Sequence, residues 1–555
     1  VGEILLEAAA SQGLAGLLVE ERDHPGACCR LRIDRDEVLS PGDRVDVVLV
    51  LSAREWRERE RELELAPETV FVEDEDDPVP GSLPGASVYR VPLARLASER
   101  AGDRRARGAV LLGALAALFH IPEEALRHAL ARWCAARPRG LPVARCLEAL
   151  DAGASFARAR IEKRDGVHLE LEPREPRLVL SGNEALAFGA LAAGCRFFAA
   201  APGGPTRELA SWLAGHLPRQ GGAALEAADP GDALGLVLGA SFAGARAMTA
   251  TSGPGVSRMS DLLGLASAAE IPCVVVNVQH EGPSTGNPAW TAQGDLAQAL
   301  SGENGDAPRV VIAPADVEDC YDSALLAFHA AEKYQLPVFI LSDRGLASTR
   351  QAIRREALAP SYGLGHERLA PGPTAGPFAR HALTASGVSP MPAPGTRGTA
   401  YRASGVAHDE RGQPTTDVAT HALQVMKRAR KRRSIQAELR YASVVGPEKA
   451  ALGIIAWGSS KGAVAEAVRE LNARGIPVKA IVPQVLEPIP EEPLRRFAQG
   501  LERALVVELS LGGQLHRHLA ASLELGCELI PVNRPGGRPF SAREIALGAM
   551  EVLGR

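Results

Sequence analysis

The chain has no Cys-x-x-Cys pair: its eight cysteines, Cys28, Cys29, Cys134, Cys146, Cys195, Cys273, Cys320 and Cys527, are scattered. Zinc sites and iron–sulfur clusters are built on that spacing, so neither a metal site nor a cluster is expected in this chain. Long hydrophobic runs are missing too. Apolar stretches such as Ile271 to Val278 are short and bounded by turn residues, far below the ~20 residues that span a bilayer. No membrane association is expected, and the setting read from these absences is soluble, reducing and cytoplasmic. Charge of one sign is scarce. Lys+Arg 62 against Asp+Glu 67 leaves a net charge of -5, which exerts no overall pull toward nucleic acid and favours small-molecule chemistry or protein partners. Val1 to Ala10 reads as the middle of an amphipathic helix with neither a secretory signal nor an initiator Met, so a start inside a domain is expected.

What the chain does have is length and regular alternation. At 555 residues and 46% hydrophobic composition it exceeds what one core organises, and about three or four compact domains are expected. Residues 1–150 combine a helix from Ile4, strands at Ala15–Val19 and Val45–Leu51, and a helix over Ala109–Leu118, an α/β pattern compatible with a Rossmann-like domain. An Arg-rich connecting stretch, 151–177, follows. The next domain, 178–356, has strand candidates at Leu178–Ser181, Arg196–Ala200, Arg246–Ala250, Cys273–Val278, Val310–Ile312 and Val338–Leu341, separated by helical segments. Such alternation predicts a mostly parallel sheet covered on both faces.

Residues 357–445 form a Pro/Gly-rich arm, with Pro371-Gly372-Pro373 and Pro392-Ala393-Pro394-Gly395, followed by a basic helix carrying Lys427, Arg428, Arg430, Lys431, Arg432 and Arg433. Without interleaved aromatics and on an acidic chain this run reads as a solvated or acidic-partner-facing helix, not as a nucleic-acid patch. A smaller α/β domain, 446–555, has strands at Gly453–Ala456, Val478–Val482, Leu505–Glu508 and Glu528–Val532. The predicted fold class is α/β with several doubly wound parallel-sheet domains.

The most specific motif runs from Gly239 to Gly255 and ends a strand in Thr251-Ser252-Gly253-Pro254-Gly255. That arrangement puts hydroxyls and free backbone amides at the carboxyl edge of a parallel sheet, where ligands of such sheets bind. A helix cap at Thr251-Ser252 and a plain turn at Ser284-Thr285-Gly286 are the bland readings. His408-Asp409-Glu410 has metal-ligand residue types, but consecutive side chains point different ways and a charged loop is expected.

Asn183-Glu184-Ala185, the Gly239–Gly255 block, Gln279-His280-Glu281-Gly282-Pro283-Ser284-Thr285-Gly286, Gln293-Gly294-Asp295-Leu296 and Ala313-Pro314-Ala315-Asp316 together resemble the alpha subunit of 2-oxoglutarate- or pyruvate-type 2-oxoacid:ferredoxin oxidoreductases. The likeness continues through Gly387-Val388-Ser389-Pro390, Ala456-Trp457-Gly458-Ser459, Gly512-Gly513-Gln514-Leu515 and Gly537-Arg538-Pro539-Phe540. Residues 1 to about 140 resemble, more faintly, the gamma domain fused ahead of alpha, with Ser40-Pro41-Gly42-Asp43 the clearest stretch.

The resemblance implies thiamine diphosphate bound between a pyrimidine-type alpha domain and a separate beta subunit. It further implies CoA as co-substrate, an iron–sulfur cluster in the beta partner, ferredoxin or a similar acceptor, and a dimer of gamma-alpha/beta units. It assigns Thr251, Ser252 and Gly253 to the cofactor, and Thr249, Ser284, Thr285 and His280 to the substrate. Three positions depart from the family pattern. Gly204 stands where a substrate-facing threonine is usual, His280 where an arginine is, and Pro230 where a glutamate protonates the cofactor's aminopyrimidine ring. Asp229, Asp232 and His280 are the candidates for the missing proton chemistry. Two readings follow: a subunit that oxidatively decarboxylates a 2-oxoacid to acyl-CoA, or a catalytically degenerate paralogue kept for assembly or regulation. A thiamine enzyme for a bulkier substrate, admitted by Gly203-Gly204, is a third.

Overall fold

The structure, a computed structural model, describes residues 1–555 apart from 22–27, 60–64, 80–85, 138, 170–173, 360–376, 440 and 555. Pro371-Gly372-Pro373 lies outside the described residues. The chain divides into two units, Val1–Leu180 with Arg350–Arg355, and Ser181–Thr349 with Glu356–Arg555. Among the described residues no helix is long and apolar enough to cross a membrane.

In the first unit, Val45–Val50, Leu65–Asp74 and Ser87–Val91 form a three-stranded parallel sheet in that order. Its core is completed by the helices Arg107–Phe119, Glu123–Ala135 and Val143–Arg160. Residues 151–160, expected in a connecting stretch, are therefore helical and packed. The reason is a close crossing: a Cβ at Gly113 would collide with the Leu150 carbonyl, and one at Gly153 with the Val110 carbonyl, so the glycines let two helix backbones touch. The strand Ala15–Glu21 does not join the parallel sheet. It pairs antiparallel with Cys28–Asp34 and with Arg350–Ile353, and Leu178–Ser181 completes this four-stranded sheet. Leu178–Ser181, expected to open the next domain's sheet, thus lies in another one.

The second unit holds a seven-stranded sheet. Its order is Val485–Glu487, Val310–Ile312, Pro337–Asp343, Cys273–Gln279, Ala247–Thr251, Phe197–Ala200, Ala223–Glu226, parallel except for the antiparallel outer strand Val485–Glu487. From Phe197–Ala200 the chain steps outward to Ala223–Glu226, then returns to the inner side at Ala247–Thr251 and continues to Cys273–Gln279. The strand order therefore reverses between Phe197–Ala200 and Ala247–Thr251. The loops leaving these two strands diverge: Arg207–His216 packs with Gly182–Ala192 on one face, and Ser260–Ala269 with Pro230–Phe242 on the other. Such a reversal marks the crevice position at which open parallel sheets bind ligands.

A second sheet, Ala442–Val445, Val478–Pro483, Leu452–Ala456, Arg503–Glu508, Glu528–Asn533, is parallel except at Ala442–Val445. It shares a hydrophobic core with the seven-stranded sheet through Trp457, Ile481 and Leu486. Lys461 Nζ, paired with Asp316 at 2.6 Å and Asp319 at 3.2 Å, adds a polar tie between them.

The basic run is not the solvated face expected of it. On the helix Val418–Glu438, Lys427 and Lys431 are fully buried against an equally buried Glu270, with Nζ–O distances of 2.6 Å each. His381 Nδ1 donates to the same carboxylate at 3.1 Å, and Arg380 to the Glu270 carbonyl at 2.7 Å. The run misleads because burial follows helical period, not charge count: residues 427 and 431 are one turn apart on the face that also carries Gln424 and Ile435. Burial alone would raise the Glu270 carboxyl, but Lys431, His381, Lys427 and Arg380 outweigh it and hold the group well below its ordinary range. Each cation shares that one anion with the others, so burial leaves Lys431 lowered to about 8.

Glu270→Gln is expected to cost about 3–5 kcal/mol in urea denaturation, because two buried ammonium groups lose their counter-ion. Lys431→Met, which leaves Glu270 paired with Lys427, should cost less. Burial lowers His381 from 6.5 to about 4. Between those values the unfolded chain takes up a proton that the folded one refuses, so stability falls as pH drops through that window, and His381→Gln should flatten the slope.

Candidate active site

The crevice is built by two loops leaving neighbouring strands. After Phe197–Ala200 come Gly203 and Gly204, both with positive φ (+108° and +64°), before the helix Arg207–His216. Asn183 Nδ2 donates to the Pro205 carbonyl at 3.0 Å and ties this loop to the helix Gly182–Ala192. That helix starts on a capping box in which Ser181 and Glu184 satisfy each other's backbone. After Ala247–Thr251 comes Ser252-Gly253-Pro254-Gly255, a tight turn with Gly253 at φ +51°.

The three positions singled out in the sequence all face this one turn. A Cβ on Gly204 would lie 3.1 Å from Ser252 Oγ, and one on Gly253 would lie 2.7 Å from His280 Nε2. A Cβ on Gly255 would collide with Thr251 Oγ1 and approach Pro230 Cγ at 3.3 Å. The turn is therefore glycine-dependent on both sides, because Thr251 and His280 pack where a Cβ at Gly255 or Gly253 would stand. His280 is buried, and its Nδ1 donates to the Glu281 carbonyl at 3.1 Å. That bond leaves Nε2 facing the turn.

Other expected residues take definite places. The Ser284 carbonyl lies 3.5 Å from the Cβ position of Gly253, and Ser284 holds φ +58°, a left-handed conformation unusual for a side-chain-bearing residue. Thr285 is exposed on the same loop. Thr249, expected to line the cleft, is fully buried with its hydroxyl unpartnered. It points to the same sheet face as Thr251 but sits one pleat repeat deeper, beneath the crevice.

The acids at the start of the helix Pro230–Phe242 sit on its cap and first turn. Asp229 Oδ1 accepts the Asp232 N–H at 2.9 Å as the helix cap, and Asp232 lies exposed on the first turn. His408, Asp409 and Glu410 disperse to separate backbone partners, Val406, Arg411 with Gln413, and Leu383. Among the described residues no group of three His, Cys, Asp or Glu is placed to hold a metal ion.

One polar residue at this edge stands outside the candidates that the motifs suggest. Asp295 sits at the same sheet edge, its Oδ2 accepting from Asn277 Nδ2 at 2.8 Å and its N–H donating to Gln279 Oε1 at 3.0 Å. The available signal was its place in Gln293-Gly294-Asp295-Leu296, just before the helix Leu296–Ser301.

The chain matches three family models: "Pyruvate flavodoxin/ferredoxin oxidoreductase, thiamine diP-bdg" over residues 188–427, "Pyruvate ferredoxin/flavodoxin oxidoreductase" over 2–156, and "Pyruvate:ferredoxin oxidoreductase core domain II" over 450–545. It is 34% identical over 372 residues to 2-oxoglutarate synthase subunit KorA of Methanocaldococcus jannaschii, covering 66% of this chain and 99% of that one. It is 29% identical over 499 residues to the alpha subunit of 2-oxoacid:ferredoxin oxidoreductase 2 of Aeropyrum pernix, covering 84% and 76%. Among solved structures, the 2-oxoglutarate:ferredoxin oxidoreductase of Magnetococcus marinus, with 2-oxoglutarate, coenzyme A and succinyl-CoA bound, superposes with a TM-score of 0.91 at 35% identity, covering 99% of this chain and 96% of that one.

Gly255→Ala is expected to destabilise by about 1–3 kcal/mol through overpacking against Thr251. Thr251→Ala in the same chain should recover about 1 kcal/mol of that loss in a double-mutant cycle, since it removes the colliding hydroxyl.

Proposed function

This chain belongs to the pyruvate/2-oxoacid:ferredoxin oxidoreductase family, and on that footing we propose that it is the fused gamma-alpha subunit of a 2-oxoacid:ferredoxin oxidoreductase. With a beta subunit it oxidatively decarboxylates a 2-oxoacid and passes the acyl group to CoA. The observation that carries this reading is the glycine-dependent Ser252–Gly255 turn at the topological switch point.

The residues of the crevice fit thiamine diphosphate. Thr251 and Ser252 bring hydroxyls to a glycine-rich turn, the kind of loop that binds phosphate oxygens. When bound, that group supplies a thiazolium able to stabilise the carbanion left by decarboxylation. In this reading Thr251, Ser252 and Gly253 hold the cofactor, and Ser284, Thr285 and His280 approach the 2-oxoacid. His280 turns its Nε2 toward the space in which the 2-oxoacid carboxylate would lie. The beta subunit completes the cofactor site and carries the iron–sulfur cluster, ferredoxin or a similar protein takes the electrons, and gamma-alpha/beta units pair as a dimer. The alternative of a subunit retained for assembly alone is not favoured, given a chain that matches a substrate-bound oxidoreductase along almost its whole length.

The chain co-expressed with its beta partner should bind thiamine diphosphate in calorimetry, reduce a viologen dye when given a 2-oxoacid and CoA, and form acyl-CoA detectable by mass. A stable complex showing none of these would refute the reading. His280→Ala should raise KM for the 2-oxoacid about tenfold with little change in kcat.

A further inference from the structure

Asp295 holds a carboxyl that the sheet links to the Ser252–Gly255 turn by way of Asn277. Asn277 stands in register with Thr251 on the adjacent strand, so the two side chains share a sheet face. On that face Thr251 and Pro230 meet the Gly255 position. Asp295 is joined to this group through Asn277, whose amide nitrogen must point to it, because a carboxylate accepts and does not donate. Gln279, which accepts the Asp295 N–H, is itself held by donation to the Ser342 carbonyl at 3.2 Å. The half-buried carboxyl is thus anchored through Oδ2 and its own backbone, while Oδ1 has no hydrogen-bond partner among the described residues.

The other carboxyls near this edge differ from it in being exposed or bonded to other partners. Asp229 caps a helix and Asp232 is exposed. Asp343 Oδ1 accepts from Thr291 Oγ1 at 2.7 Å and from the Leu346 N–H at 3.0 Å. Glu281 Oε2 lies against Gly536. Burial raises the Asp295 carboxyl above its ordinary value, partly offset by the Asn277 hydrogen bond and by the charge of His280, the titratable group that faces it. An acid so placed exchanges its proton nearer neutrality than an exposed aspartate does.

We propose that Asp295 is the proton-exchanging acid of this crevice, giving and taking a proton at Oδ1 with the ring nitrogen of a bound aminopyrimidine. The inference rests on the reading of the crevice as a thiamine diphosphate site. In one direction the Asp295 O–H bond breaks and a ring N–H bond forms, leaving a carboxylate beside a ring cation. The reverse step restores both, and no further reactant is consumed. Asp295 thereby fills a role for which the helix Pro230–Phe242 presents only a proline at its first position.

The test is calorimetric titration of the intact complex with thiamine diphosphate and magnesium in buffers of different ionisation enthalpy, which reads the protons exchanged on binding. The wild-type complex is expected to exchange protons in a pH-dependent way. Asp295→Asn, which keeps the Asn277 hydrogen bond, should lose that dependence while its affinity changes by less than about threefold. Asp295→Glu should keep the exchange with a displaced midpoint, and kcat of Asp295→Asn should fall by about 10²-fold or more. Undiminished exchange in Asp295→Asn, or no pH-dependent exchange in the wild type, overturns the assignment. Exchange lost in Asp295→Asn alongside a wild type that binds cofactor but turns over no 2-oxoacid upholds it, and refutes the functional reading alone.

Discussion

Glu270 is the constraint on which the second unit depends. It ends the helix Ser260–Ala269 in a left-handed conformation, φ +56°, three residues before the central strand Cys273–Gln279. Gln335 does the same, φ +53°, ahead of the neighbouring strand Pro337–Asp343. Such a conformation costs a residue with a side chain about 1–2 kcal/mol. Both turns are held from the same helix: Lys427 and Lys431 reach the Glu270 carboxylate, and Lys431 also donates to the Gln335 carbonyl at 3.1 Å. The entry points of two adjacent strands are thereby fixed by one anion and two cations in a dry interior, where losing the anion leaves both ammonium groups uncompensated.

That anchorage carries into the crevice through the strands themselves. Cys273–Gln279 delivers Asn277, Gln279 and then His280 to the carboxyl edge, and its register with Ala247–Thr251 sets Asn277 beside Thr251. Because side chains alternate along a strand, a shift of one residue would turn Asn277 to the opposite face and separate Asp295 from the glycine turn. The polar edge is tied in turn to the second sheet. Gln293 Nε2 donates to the Trp457 carbonyl at 2.7 Å, and its Oε1 accepts the Leu509 N–H at 2.9 Å. The loop that carries Asp295 is therefore braced from both sheets of the unit.

Much of this was legible in the residues. The strands of the seven-stranded sheet at Phe197–Ala200, Ala247–Thr251, Cys273–Gln279, Val310–Ile312 and Pro337–Asp343 are apolar runs between turn signals, and local pattern is enough to find them. The two edge strands, Ala223–Glu226 and Val485–Glu487, carry too little pattern in four and three residues to be read, and are defined by their pairing with Phe197–Ala200 and Val310–Ile312. The connecting stretch failed at 151–160 for a similar reason. Arginines on one side of Val143–Arg160 mask alanines and a glycine that pack on the other.

Taken alone, the sequence determined the α/β class, the glycine turn after Thr251, and the absence of a carboxyl at Pro230, since each is a matter of residue type, local period or motif order. Tertiary structure decided the rest. Only pairing between distant segments could show that Lys427 and Lys431 neutralise Glu270 instead of facing solvent. Only capping geometry shows Asp229 committed to a helix, and only strand register brings Asp295, by way of Asn277, to the Thr251 turn. Charge and hydrogen bonding depend on distance in space, and a sequence orders residues along the chain without saying which of them will share a buried volume.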